Sequence, residues 1–375
     1  MSVRELEKNK KYQIEVVTGY MGNKKIREYE TFYGGKKDAI IRENEIKAQI
    51  KNNSYINKSK KTLKELLDEY LEYNKNKWAI KTYKSNLNWV KKINEKIGYI
   101  KLQNLNVKLL EEFYMYLRNE TSLADKTIQH FYVLINGALN KAVKWGYVSQ
   151  NVNLKIEKPK VRKKEIECYS PEEVEILLEV LKNENLKYQS IILLALDSGI
   201  RRGELTGLTW EDVDLDASSI KINKITQYVS GYGIYEKETK SQTSDRKIYI
   251  SKYTCNVLKK FKKEQREKQI LLGDKWGNSK RVFTTDLGED MHPDTPSKIL
   301  EKIIKKYNLK KINFHALRHT SISLMISKGV QSQIISKKSG HSSVQVTHSI
   351  YSHFFDEEFK EAANIMNDIL QVKSV

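Results

Sequence analysis

The sequence is poor in the residues that build disulfide-rich or membrane-embedded proteins. Its 375 residues include only two cysteines, Cys168 and Cys255, and four prolines. Two cysteines so far apart make neither a disulfide framework nor a metal motif, and isolated thiols suit a reducing cytosol. The longest apolar run, 191–196, is too short to cross a bilayer. No apolar segment follows Met1 to act as a secretory signal. We therefore expect a cytoplasmic protein with no membrane partner.

Two signatures of other nucleotide and nucleic-acid enzymes are also missing. No glycine-rich loop precedes a Lys-Ser or Lys-Thr pair, which disfavours a P-loop ATPase. No cluster of acidic residues lies on predicted strands, so a transposase that binds metal ions through carboxylates is disfavoured as well. Neither an internal repeat nor a low-complexity tract is evident, which leaves a globular enzyme or binding protein.

Positive charge is in large excess. The chain has 67 Lys and Arg against 47 Asp and Glu, which gives a formal net charge of +20 and a pI of about 9.5. A Lys-rich proteome would explain part of this excess, but the balance favours a polyanionic partner, and nucleic acid is the leading candidate. A chain of this length is expected to fold as two or three domains.

Residues 1–55 have the pattern of a small α+β unit. Residues 12–17 and 26–32 alternate between apolar and polar, which predicts a hairpin around a turn at 19–23. Helical spacing of apolar residues follows at 37–51. Five basic residues of this unit lie close together in the sequence: Lys24, Lys25, Arg27, Lys36 and Lys37. They form either a solvated basic face or a β-ribbon that reads DNA.

Residues 60–155 are predicted to form a four-helix bundle after a polar linker. Thr62 and Glu65 make a capping box at the start of the first helix. The other helices are predicted at 80–97, 106–119 and 124–145. The aromatic residues among the lysines of this domain are interpreted as core and not as base-stacking residues; they are Trp78, Tyr83 and Trp89.

A second linker, at 155–164, is short and strongly basic. Its like charges repel one another and keep it extended. We predict that it follows a phosphate backbone. The basic residues that would contact DNA are Lys158, Lys160, Arg162, Lys163 and Lys164.

Residues 165–375 are predicted to form a helical domain with a small antiparallel sheet. Ser170, Pro171 and Glu173 combine an N-cap, a proline in the first turn and a capping box, so a helix begins there. Strand patterns are predicted over 219–250. Further helices are predicted at 251–271, 295–307, 315–328 and 332–338. The predicted fold class is therefore multidomain and mainly α, with an N-terminal α+β unit, a four-helix bundle and a mixed α+β domain.

Two segments of this last domain suit phosphate chemistry. Arg201 follows Gly199 at a helix start, where backbone amides and a guanidinium can bind a phosphate oxygen. Glu204 can orient that arginine, although a surface ion pair is the alternative interpretation. Lys240 lies on a β-turn, where it is either a solvated residue or a proton donor to a leaving group.

Two histidines, an arginine and a tyrosine complete the set. His315 and Arg318 share one face of a predicted helix. Tyr351 needs a base, because a phenol with a pKa near 10 is only about 0.1% ionised at neutral pH, and His315 is the candidate. Arg201 and Arg318 would neutralise a pentacoordinate phosphate, with His341 as a further donor. Neither histidine needs to be a metal ligand.

Five motifs in one order resemble the signature of the tyrosine recombinase (lambda-type integrase) family. They are Gly-x-Arg-Arg-Gly-Glu-Leu at 199–205, Lys-x-x-x-Ser-x-Arg at 240–246, His-x-Leu-Arg-His-Thr at 315–320, Gly-His-Ser-Ser at 340–343 and Tyr351. Each motif alone is weak or moderate, but the five together in this order are very specific. The bundle is similar to the family's core-site-binding domain. The first 55 residues resemble the arm-site-binding unit of phage and conjugative-transposon integrases, which is a three-stranded sheet with a helix.

The resemblance implies that a set of residues binds the scissile phosphate. Arg201 and Arg318 would clamp it, His341 would be the second phosphate ligand, and Glu204 would support the site. One departure from the family pattern is Ser339, where a Leu is common. We expect this change to alter packing and not chemistry.

The resemblance also implies a covalent mechanism. Tyr351 would attack the phosphate and form a 3′-phosphotyrosine bond, with Lys240 as general acid on the leaving 5′ oxygen and His315 as general acid/base. The ester keeps the bond energy, so no cofactor, ATP or metal is required. The implied partners are double-stranded DNA at core and arm attachment sites, a homotetramer on that DNA, and an accessory DNA-bending or directionality protein.

The leading interpretation is a site-specific recombinase that integrates or excises a mobile element. A type IB topoisomerase has the same chemistry but only relaxes supercoils, and a chromosome-dimer resolvase usually lacks the N-terminal unit. A catalytically silent DNA-binding regulator would share the fold but would have lost a catalytic Tyr or Arg, and none is missing. The amphipathic pattern at 356–375 predicts a tail helix, which packs on its own domain or docks on a neighbouring protomer.

Overall fold

A computed structural model of the chain describes residues 3–51, 61–161, 166–238, 245–351, 364–367 and 370. They belong to two compact units, Met1–Lys163 and Lys164–Val375. Each unit contains its own clusters of buried apolar residues, and helices dominate both. The predicted fold class, multidomain and mainly α with small sheets, is confirmed. Among the described residues, no helix is long and apolar enough to span a bilayer.

The first unit begins with a three-stranded antiparallel sheet and one helix. The elements are β1 (Val3–Glu7), β2 (Lys11–Met21), β3 (Lys24–Tyr33) and α1 (Lys36–Lys51). The central strand β2 buries Ile14 and Val16 against Ile46 of α1. Alternate residues of a strand share a face, so Lys25 and Arg27 of β3 lie on the face away from this cluster. The third strand β1, which the residue pattern alone did not indicate, matches the sheet that the resemblance implied.

The predicted turn at 19–23 is wrong in extent. β2 continues to Met21, and only Gly22 and Asn23 connect it to β3. Gly22 has a φ of 59°, which a tight two-residue hairpin connection requires. Gly19 instead lies in β2 opposite Ile26, just after a shift in strand register. A glycine within a strand can thus mark a bulge, and the sequence pattern did not distinguish such a glycine from one in a turn.

The four predicted helices of the bundle are present in the same unit. They are α2 (Leu63–Asn74), α3 (Ile80–Ile97), α4 (Val107–Asn119) and α5 (Asp125–Lys144). The capping box predicted at Thr62 forms: its hydroxyl accepts from the Glu65 amide at 3.3 Å, and the Glu65 carboxylate accepts from the Thr62 amide at 2.7 Å. Trp78 and Trp89 pack against the apolar core, as expected for aromatic residues at helical spacing.

The chain that leaves the bundle is tied back to it by a buried asparagine. Asn153 is fully buried, and its side chain accepts a hydrogen bond from the Tyr114 hydroxyl at 2.6 Å. The Tyr132 hydroxyl donates to the Asn153 carbonyl at 3.2 Å. These bonds satisfy polar groups that would otherwise be costly to bury. Lys158 and Lys160, which follow this anchor, are exposed.

Within the described residues the second unit contains eight α-helices and five strands. The described helices are α6 (Pro171–Leu181), α7 (Leu186–Ser198), α8 (Arg202–Gly207), α9 (Lys252–Leu272), α10 (Thr295–Tyr307), α11 (Phe314–Ser327), α12 (Ser332–Ser339) and α13 (Val344–Tyr351). The strands are β4 (Val213–Asp214), β5 (Ser219–Ile222), β6 (Lys224–Val229), β7 (Gly233–Glu238) and β8 (Arg246–Tyr249). β4, β5 and β8 form one antiparallel sheet, and β6 pairs with β7 in a separate hairpin.

The apolar helix α7 is the element on which the site is placed. Ile191 and Leu194 are fully buried, and α9, α10 and α11 pack around the helix. Burial of each such side chain stabilises the fold by about 1.5–3 kcal/mol, so a displacement of α7 that exposed them would destabilise the domain. The helix ends at Gly199, whose φ of 63° turns the chain sharply toward α8. A methyl group on Gly199 would lie 3.8 Å from Arg318 Cγ, so this turn abuts α11.

Candidate active site

Arg201 stands at the N-terminus of α8 and is held from two sides. Its amide donates to Glu204 Oε2 at 2.9 Å, and its Nη1 donates to Glu204 Oε1 at 2.9 Å. Its Nη2 donates to the carbonyl of Gly340 at 2.7 Å. The guanidinium is therefore fixed between the start of α8 and the turn after α12, while its side chain stays 39% exposed. The predicted supporting contact from Glu204 is present.

Glu204 is shared between two arginines. Its side chain is only 2% exposed, and Arg246 donates to it through Nη1 at 3.1 Å and through Nη2 at 2.9 Å. Burial alone would raise the pKa of Glu204, but the hydrogen bonds and charges of Arg246 and Arg201 outweigh it and lower that pKa. The carboxylate therefore stays ionised and joins β8 to the start of α8.

Arg246 also determines the turn that carries His341. Its Nε donates to the carbonyl of Lys338 at 2.9 Å. α12 ends at Gly340 with a φ of 65°, and a methyl group there would lie 2.8 Å from Arg246 Nη1. A residue with a side chain at position 340 would therefore meet both backbone strain and a collision.

Arg318 is a second buried arginine of the site, beside Arg246. Its side chain lies on α11 at 3% exposure, and Nη1 donates to the carbonyl of Gly199 at 2.8 Å. Its Nη2 is also buried and has no hydrogen-bond partner within the described residues. Burial and the nearby charge of Arg201 lower the pKa of Arg318 to about 10. A buried, charged donor without an acceptor is costly, so this position is suited to receive an anion.

His341 bridges the turn after α12 to the helix that carries Tyr351. Its amide donates to the carbonyl of Ser336 at 3.1 Å, and Nδ1 lies 2.7 Å from the Thr347 hydroxyl on α13. Burial and the positive charges of Arg318 and Arg201 lower the pKa of His341 to about 4. The ring is therefore neutral at physiological pH, and a neutral imidazole has one N–H to donate to an oxygen.

Tyr351 is fully buried, and its hydroxyl contacts a histidine. The oxygen lies 2.5 Å from Nδ1 of His319 on α11. Burial raises the pKa of Tyr351, although the charge of Arg318 acts in the opposite direction. Burial and the neighbouring His315 and Arg318 lower the pKa of His319 to about 4. In this arrangement the proton is held on the tyrosine.

His315 lies one helical turn before His319 and is exposed. The two rings meet edge to face with centroids 4.8 Å apart. Partial burial and the charges of Arg318 and Arg201 lower the pKa of His315. His315 is thus an exposed imidazole that lies close enough to Arg318 and Arg201 for their charges to affect its pKa.

The cluster as a whole carries more positive than negative charge. The charges of Arg201 and Arg246 lower the pKa of Arg318, and the carboxylate of Glu204 has the opposite effect on it. Arg246 and Arg201 also lower the pKa of Glu204. An anion that bound here would restore the balance. No group of three or more potential metal ligands occurs among the described residues.

Some predicted site residues fall outside the described residues: Lys240, Arg162, Lys163 and Lys164. The other predicted DNA-contacting residues are all exposed: Lys24, Lys25, Arg27, Lys36, Lys37, Lys158 and Lys160. Arg27 forms an ion pair with Glu15 at 2.9 Å. Exposure is what a backbone-binding surface needs, and their contact with DNA stays a prediction.

Sequence reasoning assigned no role to Arg246 or His319. Both residues lie inside motifs that were recognised: Arg246 ends Lys-x-x-x-Ser-x-Arg, and His319 is the second histidine of His-x-Leu-Arg-His-Thr. The available signal for His319 was its spacing of four from His315, which puts the two rings on one helix face. For Arg246 no local signal existed, because its partners lie far away in the sequence.

Comparison with known proteins identifies the same region. The model of the phage integrase family matches residues 168–358, and that of the phage integrase SAM-like domain matches residues 43–156. A tyrosine recombinase XerC-like protein of Caldanaerobacter subterraneus is 27% identical over 96% of this chain and 96% of its own length. The integrase of Staphylococcus phage L54a is 29% identical over 85% of this chain and 96% of its own length.

Solved structures share the fold. The Tn1549 transposon integrase, in complex with a circular intermediate DNA, has a TM-score of 0.70 at 19% identity and covers 81% of this chain and 99% of its own. A lambda integrase dimer bound to a COC′ core site has a TM-score of 0.56 at 18% identity, with 95% of each chain covered. Since the family model spans more than half of the 375 residues and includes all the described site residues, the chain belongs to the phage integrase family.

Proposed function

We propose that this protein is a tyrosine recombinase that cuts and rejoins DNA at specific sites to integrate or excise a mobile element. The observation that carries the proposal is Arg318 Nη2, a buried guanidinium nitrogen without a partner in the described site. It belongs to the same charge cluster as Arg201 and lies close enough to Tyr351 to affect its pKa. A phosphodiester has the charge and the oxygens that this cluster lacks.

The reaction follows from these positions. Tyr351 attacks the scissile phosphorus, a bond forms between its oxygen and phosphorus, and the bond to the 5′ oxygen breaks. Arg201 and Arg318 stabilise the charge on the pentacoordinate phosphate, and a single well-placed arginine contributes on the order of a thousandfold or more in phosphoryl transfer. Lys240 protonates the leaving 5′ oxygen as general acid, and His315 is the general acid/base of the site. A 5′-hydroxyl of the partner strand reverses the step, so the ester conserves the bond energy.

The proposed partners are double-stranded DNA and further copies of the chain. Strand exchange between two duplexes needs four cleavage events, which is why we propose a homotetramer on DNA. An accessory DNA-bending or directionality protein and a cytoplasmic location complete the proposal. The names of similar structures support the DNA partner, since they are integrases bound to transposon or core-site DNA.

The three-domain division assigns arm-site binding to the first 55 residues. Its support is the outer face of the N-terminal sheet, where Lys25 and Arg27 stand beside exposed aromatic rings, Tyr29 at 57% and Tyr20 at 68% exposure. Removing this segment should spare cleavage at the core site but abolish binding to distal arm sites in a mobility-shift assay. Equal loss of core-site cleavage would show that the segment is not a separate module.

The central experiment uses a nicked suicide substrate that carries the cognate core site. The wild-type chain should form a covalent protein–DNA adduct that survives denaturant in the presence of a metal chelator, and Tyr351→Phe should form none. Tyr249→Phe, at an exposed tyrosine of the same unit, is the matched control and should react like the wild type. An unchanged adduct in Tyr351→Phe, or none without added Mg²⁺, would contradict the mechanism. Relaxation of supercoiled DNA that lacks the site would favour a type IB topoisomerase instead.

A further inference from the structure

The hydroxyl of the proposed nucleophile contacts His319, a residue without an assigned role. The Tyr351 oxygen and His319 Nδ1 are 2.5 Å apart, so the two atoms are in hydrogen-bond contact. The two rings are tilted by 54°, with their centroids 5.5 Å apart. The described geometry therefore puts an imidazole nitrogen on the atom that would attack phosphorus.

An apolar cluster with residues from α11, α12 and α13 surrounds the phenol ring of Tyr351. Tyr351 is 0% exposed and belongs to an apolar cluster with Ile322, Ile326 and Ile335. Ile322 and Ile326 lie three and seven residues after His319 on α11, so they share its helix face. The same face thus supplies both the wall that holds the phenol ring and the nitrogen that meets its hydroxyl.

We propose that His319 is the base that takes the proton of Tyr351 during DNA cleavage; this inference rests on the recombinase function proposed above. As the bond from the tyrosine oxygen to phosphorus forms, the proton moves to Nδ1 of His319. The bond to the 5′ oxygen breaks, and that oxygen takes a proton from Lys240 or His315. In the reverse step the attacking 5′-hydroxyl gives its proton to the residue that acted as acid, and the His319 imidazolium returns its proton to Tyr351 as the phenolate leaves. Every proton is thereby accounted for within the site.

The surroundings explain why Tyr351 is not ionised before DNA binds. Burial, His315 and Arg318 lower the pKa of His319, and burial raises the pKa of Tyr351, so the proton stays on the tyrosine. A phosphodiester bound at Arg318 and Arg201 brings a negative charge that favours an imidazolium nearby. The nucleophile is then activated by the substrate that it attacks.

This division of labour differs from the expectation that His315 serves Tyr351. His315 lies at the exposed end of the histidine pair, where a DNA strand can reach it. His319 lies on the side of the buried phenol. Two imidazoles on one helix face can therefore act on the two oxygens that exchange places at phosphorus, one on the attacking oxygen and one on the leaving oxygen.

The test compares single-turnover adduct formation on a suicide substrate for the wild type, His319→Gln and His319→Ala. Glutamine can still hydrogen-bond to the tyrosine but cannot take its proton. We expect the rate to fall about 10²- to 10⁴-fold in both variants, the range typical of a lost general base. Binding of the core-site duplex should stay within about threefold. His348→Gln, at an exposed histidine on the helix of Tyr351, is the matched control and should keep the wild-type rate.

A substrate with a 5′-bridging sulfur separates the base from the acid, because a thiolate leaves without a proton. This substrate should restore cleavage in Lys240→Ala but not in the His319 variants. Added imidazole should recover part of the rate of His319→Ala, provided that its thermal transition shows a folded protein. If His319→Ala unfolds, the glutamine variant carries the test alone.

Three results would overturn the inference. A rate for His319→Gln within about threefold of the wild type would make His319 a positioning residue only. Rescue of that variant by the bridging sulfur would assign it to the leaving oxygen. Absence of an adduct from the wild-type chain would overturn the recombinase function itself, and the inference with it, so the two failures are distinguishable.

Discussion

Replacing Glu204 by glutamine tests whether the charge cluster is held together by one shared carboxylate. The carboxylate accepts four hydrogen bonds, two from Arg201 at 2.9 Å and two from Arg246 at 2.9 and 3.1 Å. The amide of glutamine keeps one acceptor oxygen and turns an NH₂ group toward guanidinium donors. About half of these bonds are lost, and the cluster loses its negative charge.

The expected cost is large for a change of one atom. Bonds to charged groups contribute about 1.5–3 kcal/mol each, so losing two of them costs about 3–6 kcal/mol. Removing one partner of a buried ion pair costs about 3–5 kcal/mol by a separate estimate. Glu204 is only 2% and Arg246 only 5% exposed, so solvent screening does not reduce the value for this pair, whereas the bonds from Arg201, which is 39% exposed, contribute less. For a unit of this size the midpoint of thermal unfolding should fall by roughly 6–24 °C.

Calorimetry of the full chain, with and without a core-site duplex, measures this change. We expect a smaller loss of stability in the presence of DNA, because a bound phosphate supplies negative charge to the same arginines. Glu184→Gln is the matched control: this carboxylate is 8% exposed but pairs with Lys306, which is 51% exposed. The control should cost at most about 1 kcal/mol, equally with and without DNA.

The same substitution should also slow cleavage, because Arg201 is no longer oriented from Glu204. A Glu204→Gln chain that unfolds within about 2 °C of the wild type and cleaves at the wild-type rate would refute the bridging role.

Acidification should also destabilise the folded chain through Glu204. The pKa of Glu204 is lowered in the folded state, so its contribution to stability is present above the unfolded pKa and is lost as the pH falls through the folded value.

Two further predictions concern the turn after α12 and the histidines. Gly340→Ala should destabilise the chain by about 1–3 kcal/mol and slow cleavage, because its φ is 65° and the new methyl would lie 2.8 Å from Arg246 Nη1. Gly329→Ala is the control: its φ is 69°, but the new methyl would contact nothing, so this variant should show only the backbone strain and should cleave normally. The pKa of His319 and of His341 is about 4 in the folded state, so unfolded chains bind more protons between about pH 6.5 and 4. The stability of the folded chain should therefore be unaffected by these two histidines above about pH 6.5 and should fall as the pH is lowered toward 4. An unfolding midpoint that does not change with pH across that window would contradict this, as would the same pH dependence of the midpoint in His341→Asn.

Local signals in the sequence predicted the helices well. The capping boxes at Thr62 and Ser170 both form, and the helices that they start begin at Leu63 and Pro171. Caps and helical periodicity depend on residues within a few positions of one another, so they can be recognised without tertiary structure. Gly19 shows the limit of such signals, because a glycine in a strand pattern fits a turn and a bulge equally well.

Motif order also predicted the family, and the match of the phage integrase model to residues 168–358 confirms that prediction. The roles of individual residues remain proposals. For Lys240 and for most of the tail helix, the sequence pattern is still the sole basis, because they lie outside the described residues. In the described part of the tail, Ile365, Met366 and Leu370 are exposed, and the amphipathic tail helix stays a prediction.

The sequence by itself determined which side chains the site contains, because each motif is a short run of residues that can be recognised without knowing the fold. It could not determine which partner each side chain meets. Arg201 bonds to Gly340 and Arg318 to Gly199. Only the packing of α8 and α11 on the buried α7, and of α12 on α11, can create these contacts. The tertiary structure likewise put His319, and not only the expected His315, beside the nucleophile, because Tyr351 reaches α11 through the packing of α13.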